Sequence, residues 1–195
     1  MNKLKTIMAA CAACALTSTA MAADPDGKIV FSGEIISGSC TVTGAGAGNT
    51  VPVDLGKVLM SAIEKAGAGN KVKSIPITMN LDCSNSSTGL NTVKFKFDPT
   101  SGSGIDTNNN SLLKTTGAAT GVGIGLYDGS NQLINLSAGQ EYTAALTAAA
   151  GGTGGTGGNN NYTATMNMSA SYVSNGATLE VGAANGTLPF TLTYD

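Results

Sequence analysis

The sequence predicts an all-β sandwich, on three observations. Short stretches alternate apolar and polar residues at period two, the repeat of a strand with one buried face. Clusters of Gly, Asn, Asp and Ser separate them at fairly regular intervals. Only Val58 to Ala66 has helical spacing, with Leu59, Ala62, Ile63 and Ala66 in phase and Gly67 to stop it.

The chain opens on a positive segment, Met1-Asn2-Lys3-Leu4-Lys5, runs through small apolar residues from Ile7 to Leu16, and reaches Ala20-Met21-Ala22. That order predicts a secretory signal, residues 1–22, cleaved after Ala22. A membrane anchor is the alternative, but about 10 apolar residues fall short of the ~20 that a span needs. A lipoprotein acceptor at Cys11 would leave almost no hydrophobic core ahead of the cysteine. Removing 22 of 195 residues leaves 173, enough for one domain with a real core.

Composition then excludes classes of function. The mature part holds 8 Lys against 12 acidic groups, and it has no Arg, so nucleic acid is not an expected partner. There is no His and no Trp. Lack of His removes Ser-His-Asp and Cys-His nucleophiles and most zinc sites together. Cys11 and Cys14 depart with the signal. Cys40 and Cys83 remain, and in an oxidising compartment they most simply form one disulfide, two free thiols being the alternative.

In chain order, Ala23 to Gly27 is polar and turn-rich. Next, Ile29, Phe31, Gly33 and Ile35 share one face of an extended segment, with Lys28, Ser32 and Glu34 on the other. Cys40 to Thr43 reads as a short strand, followed by a Gly/Ala turn. Val51, Val53 and Leu55 alternate again, and Pro52 places that strand at an edge. Ile75, Ile77, Met79, Leu81 and Cys83 give the cleanest alternation, which turns Cys83 into the core. Val93, Phe95 and Phe97 form a strand with Lys94 and Lys96 on its wet face. Val122 to Tyr127, a tight turn at Asp128-Gly129-Ser130-Asn131 and Gln132 to Leu136 read as a hairpin. Glu141 to Leu146 and Tyr162 to Val173 are further strands. Leu188, Phe190, Leu192 and Tyr194 alternate to the penultimate residue, where chain ends are usually polar and frayed.

No motif assembles a reaction centre. Asp106-Thr107-Asn108-Asn109-Asn110 begins like a calcium loop, but Ser111 stands where Gly is needed and Gly117 where a bidentate Glu should be, so a polar surface loop is expected. The run Gly151 to Gly158 has no following Lys and no G-x-G-x-x-G order, so it reads as a flexible loop and not a phosphate cradle. Asn85, Asn109, Asn135, Asn161, Asn167 and Asn185 each begin N-x-S/T, which matters only in a glycosylating host. The carboxylates are scattered, so no catalytic residue, metal ligand or cofactor is assigned. On pattern alone the first and last strands could belong to a complete immunoglobulin-like sandwich or be shared with another molecule.

Beyond pattern, the chain resembles the pilin subunits of the chaperone–usher pathway, the type 1 fimbrial family. The resemblance rests on the alternating Ile29 to Ile36 segment ahead of Cys40, on Val53-Asp54-Leu55-Gly56, and on Ile75-Pro76-Ile77 running to Leu81-Asp82-Cys83. Gly182, fourteenth from the C-terminus, and the penultimate Tyr194 complete it. It implies an immunoglobulin-like domain, residues 37–195, that lacks its last strand, preceded by a donor-strand extension, residues 23–36. Gly27, Ile29, Phe31, Gly33 and Ile35 would be the inserting face of the donor, with Gly33 where two backbones come close. Leu188, Phe190, Leu192 and Tyr194 would line the acceptor edge and pair with a periplasmic chaperone, whose basic side chains would meet the carboxylate of Asp195.

The function so implied is that of a non-enzymatic structural subunit of a surface fimbria. Its partners would be other pilin subunits, most simply in a homopolymer, with the chaperone, an outer-membrane usher and, through the fibre, a host surface. The subunit would pass through the periplasm without embedding in a membrane. A minor adaptor or tip subunit and a single-domain adhesin binding a host ligand directly are the alternatives, and a secreted hydrolase is a further rival.

Overall fold

The computed structural model describes residues 40–43, 50–86, 90–148 and 160–195. The signal 1–22, the extension 23–36 with Gly27, Ile29, Phe31, Gly33 and Ile35, the turn 44–49 and the glycine run 151–158 lie outside the described residues.

In chain order the strands are β1 (Thr41–Thr43), β2 (Ile75–Ser86), β3 (Thr92–Phe97), β4 (Leu113–Lys114), β5 (Val122–Tyr127), β6 (Glu141–Ala145), β7 (Thr147–Ala148), β8 (Asn160–Ser174) and β9 (Phe190–Tyr194). One helix, α1 (Met60–Ala66), precedes β2. The strands form two antiparallel sheets. The larger has the order β1-β2-β8-β5-β4 with β7 also on β8, and the smaller has the order β6-β3-β9. The all-β expectation holds.

Period-two patterning builds the core. β2 buries Ile77, Met79, Leu81 and Cys83, while Thr78, Asn80 and Asp82 stay exposed. β8 buries Ala164, Met166, Met168 and Ala170. Their register sets Ile77 against Met168, Met79 against Met166 and Leu81 against Ala164, so the two strands present one continuous apolar surface. β5 is buried along its whole length, and Val93 and Phe95 of β3 are fully enclosed. Cys40 and Cys83 form a disulfide, both half-cystines buried, and it ties the residue ahead of β1 to β2. The free-thiol alternative is thereby removed.

Several expectations need correction. Val51 to Leu55 is not a strand, and Val53 is exposed although Leu55 is buried. The segment has no partner strand among the described residues, and Pro52 has no amide to offer. Leu59, expected on the buried face of the helix, lies just before its first residue and is 75% exposed. A helix this short turns one residue, Ile63, into the core.

The segment Gln132 to Leu136 is not a strand either. The turn does form, with the Asp128 amide donating to the Gln132 carbonyl at 2.9 Å, and Tyr127 bridges to Leu133. The chain then bends into a 3-10 turn at Leu136–Ala138, where Asn135 Oδ1 accepts from the Ser137 amide. Finally, the loop from Asp106 to Asn110 is not purely a surface loop. Asp106 is buried, its Oδ1 accepting from the amides of Asn108 and Asn109 and its Oδ2 from Asn175 Nδ2. These bonds compensate the lost water and make the carboxylate a loop anchor.

Candidate functional site

The two sheets differ in width. Six strands form one and three form the other among the described residues, so the inner face of the larger sheet reaches beyond the strands that cover it. The outcome is an open groove of about 930 Å³ beside β9. Its floor is apolar, with Ile77 and Met79 from β2, Met168 and Ala170 from β8, and Ile124 and Leu126 from β5. One wall is the segment Thr50 to Gly56, and the other is the chain from Ala184 into β9.

The β3–β9 ladder decides which backbone groups of β9 are free. Thr92 and Asp195 exchange amide-to-carbonyl bonds of 3.1 Å, and the Asp98 amide donates to the Pro189 carbonyl at 2.8 Å. Antiparallel pairs alternate between bonded and non-bonded. Thr193 and Thr191 therefore turn their amides to Lys94 and Lys96, while Phe190, Leu192 and Tyr194 turn theirs to the open edge. The side chains follow the same alternation. Leu188, Phe190, Leu192 and Tyr194 are half-buried on the groove wall, whereas Thr191 and Thr193 are exposed. Apolar side chains and main-chain groups without a partner among the described residues thus face the same cleft, which is the requirement for accepting an extended strand.

All four wall residues named from the sequence come together here. The floor was legible only as core, since alternation marks a buried face without saying what covers it. Val51 to Leu55 within the other wall was read as a strand, and Gly186, where an added Cβ would lie 2.8 Å from Ile124 Cδ1, gave no distinguishing signal. Among the described residues no group of three metal-capable side chains occurs, and no helix is long and apolar enough to cross a membrane.

Two contacts hold the wall in place. The Cys40 amide donates to the Tyr194 hydroxyl at 3.0 Å, linking the disulfide to the end of β9. Tyr194→Phe is expected to keep the ring on the wall and lose this bond, at a cost of about 1 kcal/mol. Hydrogen exchange of the Cys40 amide should accelerate, and unchanged protection would contradict the link. At Gly182 an added Cβ would lie 2.5 Å from the Ala119 nitrogen and 2.6 Å from the Ala118 carbonyl carbon. Gly182→Val is therefore expected to destabilise the domain by about 2 kcal/mol or more, because backbone must move to admit it. An unaltered unfolding midpoint would show that the approach is not so close.

Asp195 pairs through its side chain with Lys94, and its main-chain oxygen accepts from the amides of Asn91 and Thr92. The hydrogen bond and charge of Asp195 hold the Lys94 ammonium above its ordinary pKa.

The sequence model of a family described as fimbrial protein matches residues 29–195. The chain belongs to the fimbrial protein family. This fimbrial protein is 34% identical to long polar fimbria protein A of Salmonella typhimurium, across 98% of both chains. It is 33% identical to the probable major fimbrial subunit LpfA of Escherichia coli O157:H7, again across 98% of both. Its fold matches that of a subunit in a chaperone–usher pilus structure with a TM-score of 0.56 at 19% identity, covering 89% of this chain and 98% of the other.

Proposed function

We propose that this chain is a structural subunit of a surface fimbria, exported to the periplasm and joined non-covalently to its neighbours by donor-strand exchange. The observation that carries this reading is the groove beside β9, an apolar floor with a row of main-chain groups along one wall that have no partner among the described residues. An uncovered edge of this kind invites pairing with another chain. The family match begins at Ile29, inside the segment whose alternating face, Gly27, Ile29, Phe31, Gly33 and Ile35, would fill the groove of the next subunit.

A periplasmic chaperone would occupy the groove first, and an outer-membrane usher would be the place of exchange. A chaperone contact at Asp195 would have to displace or extend the bonds that residue makes to Lys94, Asn91 and Thr92. The reading assigns the chain no catalytic role. Because donor and acceptor surfaces differ, the contact is heterologous and propagates as an open filament. Any contact with host surfaces would come through the fibre.

Electron microscopy of cells with and without this chain tests the reading. Long fibres should vanish in its absence, as for a main shaft subunit. Fibres merely altered would assign it to a minor position, and fibres unchanged would reject the reading.

A further inference from the structure

Two Asn-Gly steps lie among the described residues, Asn175-Gly176 and Asn185-Gly186. Such a step is reactive because glycine has no Cβ to shield its amide nitrogen, which can attack the asparagine side-chain carbonyl. The fold treats the two steps differently. Asn175 is half-buried, and both ends of its side-chain amide are engaged: Nδ2 donates to Asp106 Oδ2 at 2.8 Å, and Oδ1 accepts from the Ala177 amide at 3.0 Å. The Gly176 amide in turn donates to the Ser174 hydroxyl. Asn185 is exposed on the groove wall, and its side chain has no hydrogen-bond partner among the described residues. Its main-chain amide and carbonyl are bonded to Thr116 at 2.8 and 2.7 Å, in an isolated antiparallel bridge. That bridge turns the next amide, of Gly186, away from Thr116, and it too has no partner among the described residues.

We propose that Asn185 is a deamidation site, and that its conversion weakens the groove's hold on a strand; the second half rests on the strand-accepting reading given above. The step balances without oxidant or reductant. The Gly186 nitrogen bonds to Asn185 Cγ, the Cγ–Nδ2 bond breaks, and the Gly186 amide proton leaves with Nδ2 as ammonia. Water then opens the cyclic imide at either carbonyl, giving aspartate or isoaspartate. Isoaspartate routes the main chain through Cβ and Cγ, so the wall gains one backbone atom, and the carbonyl that accepts from the Thr116 amide becomes a free carboxylate. The residue that follows has little room to move: a Cβ added at Gly186 would lie 2.8 Å from Ile124 Cδ1 and 3.0 Å from Leu113 Cδ2. An extra atom here therefore displaces the wall that leads through Leu188 into β9.

The test incubates the folded mature chain in mildly alkaline buffer at body temperature and follows both asparagines by peptide mass mapping. Asn185 should convert about tenfold faster than Asn175, whose hydrogen bond to a carboxylate must break first. In urea the two should convert at similar rates. The isoaspartate form, separated by ion exchange, should bind labelled synthetic peptide of residues 27–36 about tenfold more weakly than fresh chain. Asn185→Gln, whose longer side chain closes such a ring far more slowly, should bind that peptide equally before and after incubation.

Equal rates in the folded chain, or faster loss at Asn175, overturn the site, and so does a preference for Asn185 that persists in urea, since the fold would not be its cause. An isoaspartate form that binds like fresh chain overturns the effect on the groove. So does one that has lost its β-sheet circular dichroism, because the effect would then lie in folding. Fresh chain that does not bind the peptide overturns the strand-accepting reading and the effect on the groove with it, while the rate comparison still decides the site.

Discussion

A chain lacking residues 28–36 is expected to fold and remain with its chaperone, yet fail to enter a fibre. The groove of this variant would be intact, because β9 and the floor strands lie entirely within residues 75–195. What it loses is the segment proposed to fill the next groove. Nine extended residues span roughly 30 Å at about 3.3 Å each, ample for the seven residues from Leu188 to Tyr194 that form the wall. Burying Ile29, Phe31 and Ile35 would contribute about 1.5–3 kcal/mol apiece, and the edge groups of Phe190, Leu192 and Tyr194 would gain partners. Co-purification with the chaperone and negative-stain microscopy of fibres give the result. Normal fibres from this variant would reject the donor role of the extension.

The second large effect is expected from Cys40→Ser combined with Cys83→Ser. The bond closes a loop with a sequence separation of 43. In the chain-entropy description such closure stabilises by about 4 kcal/mol. For a domain of this size that corresponds to roughly 10 °C in unfolding temperature. Both sulfurs belong to buried residues, so two serine hydroxyls would in addition have to find partners. Cys40 also offers its amide to Tyr194, so slackening here reaches the groove wall. Periplasmic yield should fall sharply, and thermal unfolding should shift down. Unchanged yield and midpoint would mean that the sandwich does not depend on this staple.

Alternation made most of the fold readable. Ile77, Met79, Leu81 and Cys83 on β2, Val93, Phe95 and Phe97 on β3, and the closing run of β9 all lie where period two places them, because a side chain in a strand has only two faces to choose between. Reading failed where that rule has no hold. Leu59 sits at a helix boundary, where a shift of one residue exposes it. Val53 alternates correctly but has no partner strand among the described residues to hold it in phase. β4 and β7, two residues each, are too short to carry a period, and they exist because β5 and β8 offer edges to pair with.

The amino-acid order determined which residues are apolar and which alternate, and it carries the match of residues 29–195 to the fimbrial protein family. Only the tertiary structure decided that, among the described residues, six strands face three, leaving a groove along β9 with its amides and apolar side chains on the same side. The physical reason is that periodicity is local, recording which face of a strand is buried. Whether a neighbouring strand covers that face depends on how many strands each sheet gathers from distant parts of the chain.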